Sequence, residues 1–186
     1  MSIENGMEER DGVKRWWAKG MLHRDDGPAV EGPGWRSWWR RGLWHREDGP
    51  AIEHDNGDQE WLLRGKHHRA DGPAIVNADG SWQWWLNGEL HRDGGPAIFN
   101  KSDGSYEWRK HGKLHREDGP AIEKPDGSGP WYLDSRELTA SEIEVLKERE
   151  RQRRISAVVE TMDRGLDHAL NVYKPVRLHH KGPRHG

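Results

Sequence analysis

Short stretches of alternating apolar and polar residues recur along the first three quarters of the chain, and turn residues separate them. In one such stretch, Trp82, Trp84 and Leu86 occupy every second position and therefore share one face of a β-strand. Asp79-Gly80 stands just before this stretch, and Asp-Gly is a preferred dipeptide of tight hairpin turns. The pattern predicts a two-stranded β-hairpin in each recurrence, with a plain connection between one hairpin and the next.

The hairpins follow a sequence repeat, a variant of Leu-His-Arg-x-Asp-Gly-Pro-Ala. Its histidines lie 22 to 24 residues apart, at His23, His45, His68, His91 and His115. A fixed period of this length indicates one supersecondary unit stacked on itself, because a lone two-stranded hairpin is only marginally stable in water. We therefore predict a mainly β fold: an elongated, solenoid-like stack of about five to six antiparallel β-hairpins, followed by a C-terminal α-helix.

The repeat pattern ends at residue 138, which divides the chain into three parts. Residues 1–138 form the predicted repeat domain, residues 139–173 an amphipathic helix, and residues 174–186 a basic tail that we expect to be disordered. Thr139 and Glu142 have the spacing of a helix capping box. The apolar stripe of the helix is expected either to cap the open end of the stack or to pair with a second copy of the chain, and it contains Ile155, Val158, Val159, Met162, Leu166, Ala169 and Leu170.

Composition narrows the possible functions. Twelve of the 186 residues are Trp, whereas 32% are hydrophobic and 33% are charged, which suits one sheet with a row of indoles better than a thick core. The chain has no Cys, as is common in a reducing compartment, and neither a signal peptide nor an apolar run of membrane-spanning length is expected. These features predict a cytoplasmic protein. The net charge of −2 gives no overall preference for nucleic acid or anionic lipid.

The order of an Asp-Gly turn, a Trp, a Gly, Leu-His and Gly-Pro-Ala, at about 23 residues per unit, resembles the MORN repeat. More narrowly, it resembles MORN-like variants with this signature in bacterial, phage and large-virus proteins, and the resemblance covers about residues 8–138. The resemblance implies stacked hairpins that serve as scaffolds for protein–protein contacts, and in some cases touch phospholipid. It also implies a phage or viral origin, with a role in the host cytoplasm as an inhibitor or adaptor of a host factor.

Function is expected where the repeat is irregular. Trp and Arg interleave around the second unit, as they do in protein hot spots and in stacking surfaces for nucleic acid. Trp44 replaces the leucine of the signature in the second unit, and His67 replaces it one unit later. Gly94 displaces an aspartate in the fourth unit. The alternative is that the extra indoles only cover the second face of the sheet. The residues predicted to bind a protein partner are Trp35, Arg36, Trp39, Arg40, Arg41, Trp44 and His67.

The repeated His and Arg side chains have two interpretations. They brace the hairpins, or they form a cationic ladder that binds phosphate or carboxylate and, with the basic tail, makes nucleic-acid or nucleotide binding an alternative function. The ladder contains Arg24, Arg46, Arg69, Arg92, Arg116, His23, His45, His68, His91 and His115.

Neither metal binding nor catalysis is expected from these repeated side chains. Successive histidines should lie about 10 Å apart, too far to share a metal ion, and five copies of one side-chain set are not how a nucleophile is placed. We therefore expect no cofactor and no enzymatic activity. The predicted function is non-enzymatic binding of a protein, with a homomeric structural role as a further alternative.

Overall fold

The computed structural model describes residues 4–172, which form antiparallel β-hairpins followed by one helix. In chain order the strands are β1 (Gly6–Arg10), β2 (Val13–Ala18), β3 (Met21–Leu22), β4 (Val30–Gly32), β5 (Trp35–Ser37), β6 (Trp39–Arg40), β7 (Leu43–Trp44), β8 (Ile52–His54), β9 (Gln59–Glu60), β10 (Leu62–Leu63), β11 (Lys66–His67), β12 (Ile75–Val76), β13 (Trp82–Gln83), β14 (Trp85–Leu86), β15 (Glu89–Leu90), β16 (Ile98–Asn100), β17 (Ser105–Glu107), β18 (Arg109–Lys110), β19 (Lys113–Leu114), β20 (Ile122–Glu123), β21 (Tyr132–Leu133) and β22 (Arg136–Glu137). The mainly β fold and the stack of antiparallel hairpins are confirmed.

One antiparallel sheet runs through the repeat units. Its order is β1-β2-β4-β5-β8-β9-β12-β13-β16-β17-β20, with β3 attached to β2. A strand that follows Gly-Pro-Ala, such as β4, pairs with a return strand, such as β5. The other edge of the return strand pairs with the first strand of the next hairpin, as β5 does with β8. The turn between them needs a left-handed residue, as at Gly80 (φ 93°), where glycine carries no steric cost. Hydrogen bonding between units therefore supplies what an isolated hairpin lacks.

The most buried positions are the alanines of Gly-Pro-Ala rather than the indoles. Ala29, Ala51, Ala74, Ala97 and Ala121 are fully buried, whereas the repeated tryptophans are only half-buried. The backbone of each of these alanines forms hydrogen bonds on both sides. The amide of Ala51, for example, donates to the carbonyl of Glu60, and its carbonyl accepts from the amide of Trp38. A side chain no larger than methyl keeps the backbones close, so the core is thin.

The predicted plain connection between hairpins is wrong, because the connection is itself a short hairpin. In the third unit β10 pairs with β11 across Arg64 and Gly65, whose φ angles of 52° and 75° are both left-handed. Two successive left-handed residues define the type I′ turn, which matches the twist of paired strands. The last unit makes the same turn without glycine, at Asp134 and Ser135. Each short hairpin bonds to the one before it through an amide such as that of Gly65, which donates to the carbonyl of Trp44 (2.8 Å).

The helix α1 (Ala140–Val172) forms a second compact unit, which begins at Ala140. The described part of its apolar stripe is exposed to solvent by half or more: Ile155 by 51%, Val158 by 58%, Val159 by 50% and Met162 by 65%. The other predicted stripe side chains (Leu166, Ala169 and Leu170) and the predicted tail 174–186 lie outside what the structure describes. In residues 4–172 no helix is long and apolar enough to cross a membrane.

Candidate functional site

Each repeated arginine lies over the tryptophan of its own unit. In the second unit the guanidinium carbon of Arg46 is 4.0 Å from the ring centroid of Trp38, which is the geometry of a cation–π contact. The same guanidinium donates to Asp48 (2.9 Å), to the carbonyl of Pro50 (3.2 Å) and to Glu53 (2.7 Å). The stacked pairs are Arg24 on Trp16, Arg46 on Trp38, Arg69 on Trp61, Arg92 on Trp84 and Arg116 on Trp108.

The carboxylates beside these arginines explain two features of the repeat signature. The hydrogen bond and the positive charge of Arg46 hold the pKa of Asp48 below its ordinary value, and Arg69 does the same to the pKa of Asp71. The glycine of Gly-Pro-Ala lies under the guanidinium: a β-carbon at Gly49 would stand 2.7 Å from the guanidinium carbon of Arg46. Arg46 and Arg69 are therefore compensated by carboxylates of the chain, which is the arrangement that the bracing interpretation predicts.

The repeated histidines join one unit to the next. Nδ1 of His45 accepts a hydrogen bond from the amide of Arg64, the left-handed turn residue of the following unit (3.1 Å). Nε2 of the same ring is 3.2 Å from Glu47. The inter-unit bond recurs at His23, His68, His91 and His115, with lengths of 3.1 to 3.3 Å. Within residues 4–172, no group of three or more acidic or histidine side chains could hold a metal ion.

Two of the predicted partner-binding residues, Trp35 and Arg36, line an open groove of about 690 Å³ on the sheet. Trp38, Arg46 and Glu53 line the same groove. Glu53 accepts hydrogen bonds from both arginines, at 2.5 Å from Nε of Arg36 and at 2.7 Å from Arg46. Its carboxylate raises the pKa of Arg36 above the ordinary value. The groove thus has an indole wall and a charged wall in which Arg36, Arg46 and Glu53 are already paired.

A second groove, of about 610 Å³, adjoins the first and shares Trp38 and Arg46 with it. Trp39 and Arg40 line this groove. The indole of Trp39 packs against that of Trp44 at a centroid distance of 4.4 Å across the short hairpin. The side chain of Arg40 is 55% exposed and lies 3.9 Å from Glu47. We call the two grooves together the second-unit grooves.

Three of the predicted residues line neither groove: Arg41, His67 and Trp44, whose indole packs on that of Trp39. Arg41 is a left-handed turn residue, and its amide donates to Nδ1 of His23 (3.2 Å). His67 bonds through Nε2 to Glu60 (2.7 Å), and its ring centroid is 5.3 Å from that of Trp85. The Arg41 amide and the His67 ring therefore stand among the contacts that hold the short hairpins, whereas Trp35, Arg36, Trp39, Arg40 and Trp44 lie at or beside the grooves.

An aromatic cluster at the other end of the sheet was missed by sequence reasoning. Trp82 pairs across strands with Phe99, and Phe99 pairs with Tyr106. The ring centroids are 5.8 Å apart for Trp82–Phe99 and 4.8 Å apart for Phe99–Tyr106. Arg92 lies beside this cluster, with its guanidinium carbon 5.7 Å from the centroid of Trp82. The sequence does hold a signal for this cluster: Phe99 and Tyr106 stand where Glu53 and Gln59, also a cross-strand pair, stand two units earlier.

The fold and these contacts define a β-hairpin repeat protein with two adjoining open grooves in its second unit. A scan against protein-family models found no matching family, and a search of curated proteins found no matching relative. The resemblance to MORN-like repeats therefore stays a prediction, which rests on the sequence signature.

Proposed function

We propose that the repeat domain is a non-enzymatic protein-binding module and that its partner occupies the second-unit grooves. The observation that carries this proposal is the pair of adjoining open grooves, which share Trp38 and Arg46 and present Trp35, Trp39 and Arg40. Interfaces of this kind are rich in Trp and Arg, which combine large contact area with directional hydrogen bonds. We further infer a cytoplasmic location from the absence of Cys. The resemblance to MORN-like proteins suggests that the partner is a host factor.

The charge distribution favours a protein over a nucleic acid as the partner. A nucleic-acid surface needs positive charge that is free to replace counterions. The groove arginines instead have acidic neighbours, since Arg36 and Arg46 both bond to Glu53. Residues 1–138 contain 20 Lys and Arg against 25 Asp and Glu, so the repeat domain is net acidic.

The experiment is affinity purification of the full chain from a lysate of its source cells, with and without nuclease, followed by mass spectrometry and light scattering. We expect a protein that stays bound after nuclease treatment. Loss of all bound material on nuclease treatment would support nucleic-acid binding instead, and assembly of the chain only with itself would support a homomeric structural role.

Point variants then test where the partner sits. Arg40→Glu reverses a charge on an exposed side chain, so it should weaken binding at least tenfold and leave the unfolding midpoint nearly unchanged. Lys124→Glu makes the same charge reversal on an exposed side chain of another hairpin and is the matched control. Equal affinity of the two variants would place the partner elsewhere.

A further inference from the structure

Arg92 differs from the other four repeated arginines, because no carboxylate of the described residues lies within ion-pair distance of it. The other four each bond through Nε to the aspartate two residues later, with partners Asp26, Asp48, Asp71 and Asp118. Three of them also bond to a glutamate seven residues later, with partners Glu31, Glu53 and Glu123. In the fourth unit Gly94 and Phe99 occupy these two positions.

The space beside Gly94 is open, and the left-handed backbone of this residue (φ 72°) differs from that of the aspartates in the other units. A β-carbon built at Gly94 would have no other atom within 4 Å. A cavity of about 270 Å³ lies at this point between the fourth and fifth units, and Arg92, Lys110 and His115 contribute to its wall. The acidic side chains of the wall have partners of their own: Asp93 is 3.5 Å from His91, Glu117 is 3.9 Å from His115, and Asp118 is 2.8 Å from Arg116.

The guanidinium of Arg92 is held in place although its charge is uncompensated. It stacks on Trp84 at 4.2 Å, and Nη1 donates to the carbonyl of Pro96 (3.2 Å). These contacts fix the fork of donors at low conformational cost to a ligand. A half-buried cation that lacks an acidic partner gains most from a charge-assisted hydrogen bond, because part of its hydration is already lost.

We propose that Arg92 is a carboxylate-binding site, which accepts an Asp or Glu side chain of the protein partner in the place of the missing aspartate. The neighbouring aromatic cluster (Trp82, Phe99 and Tyr106) then packs against an apolar side chain beside that acidic residue. This inference rests on the proposed function for the source of the carboxylate. The site itself is defined by Gly94 and Phe99, which replace the aspartate of the other four units and the glutamate that three of them supply.

The test uses the full chain and blocked dipeptides, so that it does not depend on the partner. Acetyl-Glu-Leu-amide is the probe, acetyl-Gln-Leu-amide is its uncharged isostere, and the NMR signal of the Arg92 Nε–H group reports binding. That signal is assigned by its absence from Arg92→Gln. We expect the Glu dipeptide to shift the signal saturably and to bind at least tenfold more tightly than the Gln dipeptide. Equal binding of the two dipeptides, or no shift, would overturn the proposal.

One variant supplies a carboxylate from within the chain. Phe99→Glu places an acid where Glu53 stands beside Arg46, so it should abolish the response to the Glu dipeptide. Ala70→Glu adds an acid at an exposed position of the third unit, where the second unit holds Glu47, and should leave the response intact. A full response in Phe99→Glu, once the variant is shown to be folded, would overturn the proposal.

Sodium acetate at constant ionic strength separates a partner side chain from a small free carboxylate. We expect acetate to bind more weakly than the Glu dipeptide, because it makes no contact with the aromatic cluster. Equal affinity would overturn the assignment to a protein side chain. If the dipeptide binds but no protein partner exists, the proposed function fails and the carboxylate site stands. If a partner binds but the dipeptide does not, the carboxylate site fails and the proposed function stands.

Discussion

Arg46→Gln and Arg92→Gln change the same repeat position in two units that differ in their acidic neighbours. Arg46 is only 22% exposed and bonds to Glu53, which is 16% exposed, whereas Arg92 has no described carboxylate within ion-pair distance. Both arginines stack on a tryptophan, at 4.0 Å and 4.2 Å. The two substitutions therefore share the loss of a cation–π contact, and only Arg46→Gln also loses ion pairs, with Asp48 and Glu53.

The contacts set the size of the expected difference. A hydrogen bond to a charged group contributes about 1.5–3 kcal/mol, and a cation–π contact contributes about 0.5–2 kcal/mol. We expect Arg46→Gln to lower the free energy of unfolding by about 2–4 kcal/mol on these contributions. Arg92→Gln should lower it by about 1 kcal/mol or less, because removal of an uncompensated cation offsets part of the lost stacking.

Urea unfolding followed by tryptophan fluorescence measures both values. The transition midpoint and its slope are compared with those of the unmodified chain, since a change of slope would show that units unfold separately. Equal losses in the two variants would refute the argument that the acidic neighbours, rather than the stacking, give the arginine its structural role.

Three further predictions concern the repeat positions. His68→Ala should lower the free energy of unfolding by about 0.5–1.5 kcal/mol, because it removes the acceptor for the amide of Asn87, whereas His68→Asn should restore much of the loss in the same urea assay by keeping an acceptor near Nδ1. Ala74→Val should destabilise by about 1–3 kcal/mol because the site is fully buried between strands; Ala70→Val is its control, since the equivalent position holds Glu47 one unit earlier, and similar losses at both sites would contradict a tight core. Arg69 holds the pKa of Asp71 below its ordinary value, so the ion pair of these two residues stabilises the folded state. This stabilisation is present above about pH 4 and is lost as pH falls through the lowered pKa. The stability difference between the unmodified chain and Asp71→Asn should therefore shrink in acid, and a difference that grows in acid would contradict the cause given for the pKa.

The long hairpins could be predicted because their signal is local: apolar residues alternate on either side of an Asp-Gly turn such as Asp79-Gly80. The short hairpins could not, since their strands have only two residues each and their first turn residue varies, as with Arg64 and His111. A two-residue strand shows no alternation. The left-handed turn is instead paired with the histidine of the preceding unit, a contact that spans about one repeat.

The candidate site was predicted in part for the same reason. Trp35, Arg36, Trp39 and Arg40 are close in sequence, so their clustering beside the grooves follows from the successive strands β5 and β6. The aromatic cluster depends on strands from different units, because Trp82 and Phe99 meet only through the register of β13 with β16. The irregular Gly94 was visible in the sequence, but its meaning required the contacts that the aspartate makes in the other units.

Arg92 occupies, two repeats later, the position of Arg46, which lines both second-unit grooves. Two repeats advance the sheet by four strands, or roughly 20 Å, and a protein interface of standard size buries about 800 Å² on each partner, so one partner can cover both sites. A double-mutant cycle of Arg40→Glu and Arg92→Gln then tests a single interface. If one rigid partner contacts both sites, each variant should weaken binding and the two effects should add, because the sites share no neighbours. If Arg92→Gln leaves partner affinity unchanged while still abolishing dipeptide binding, the two sites serve different ligands.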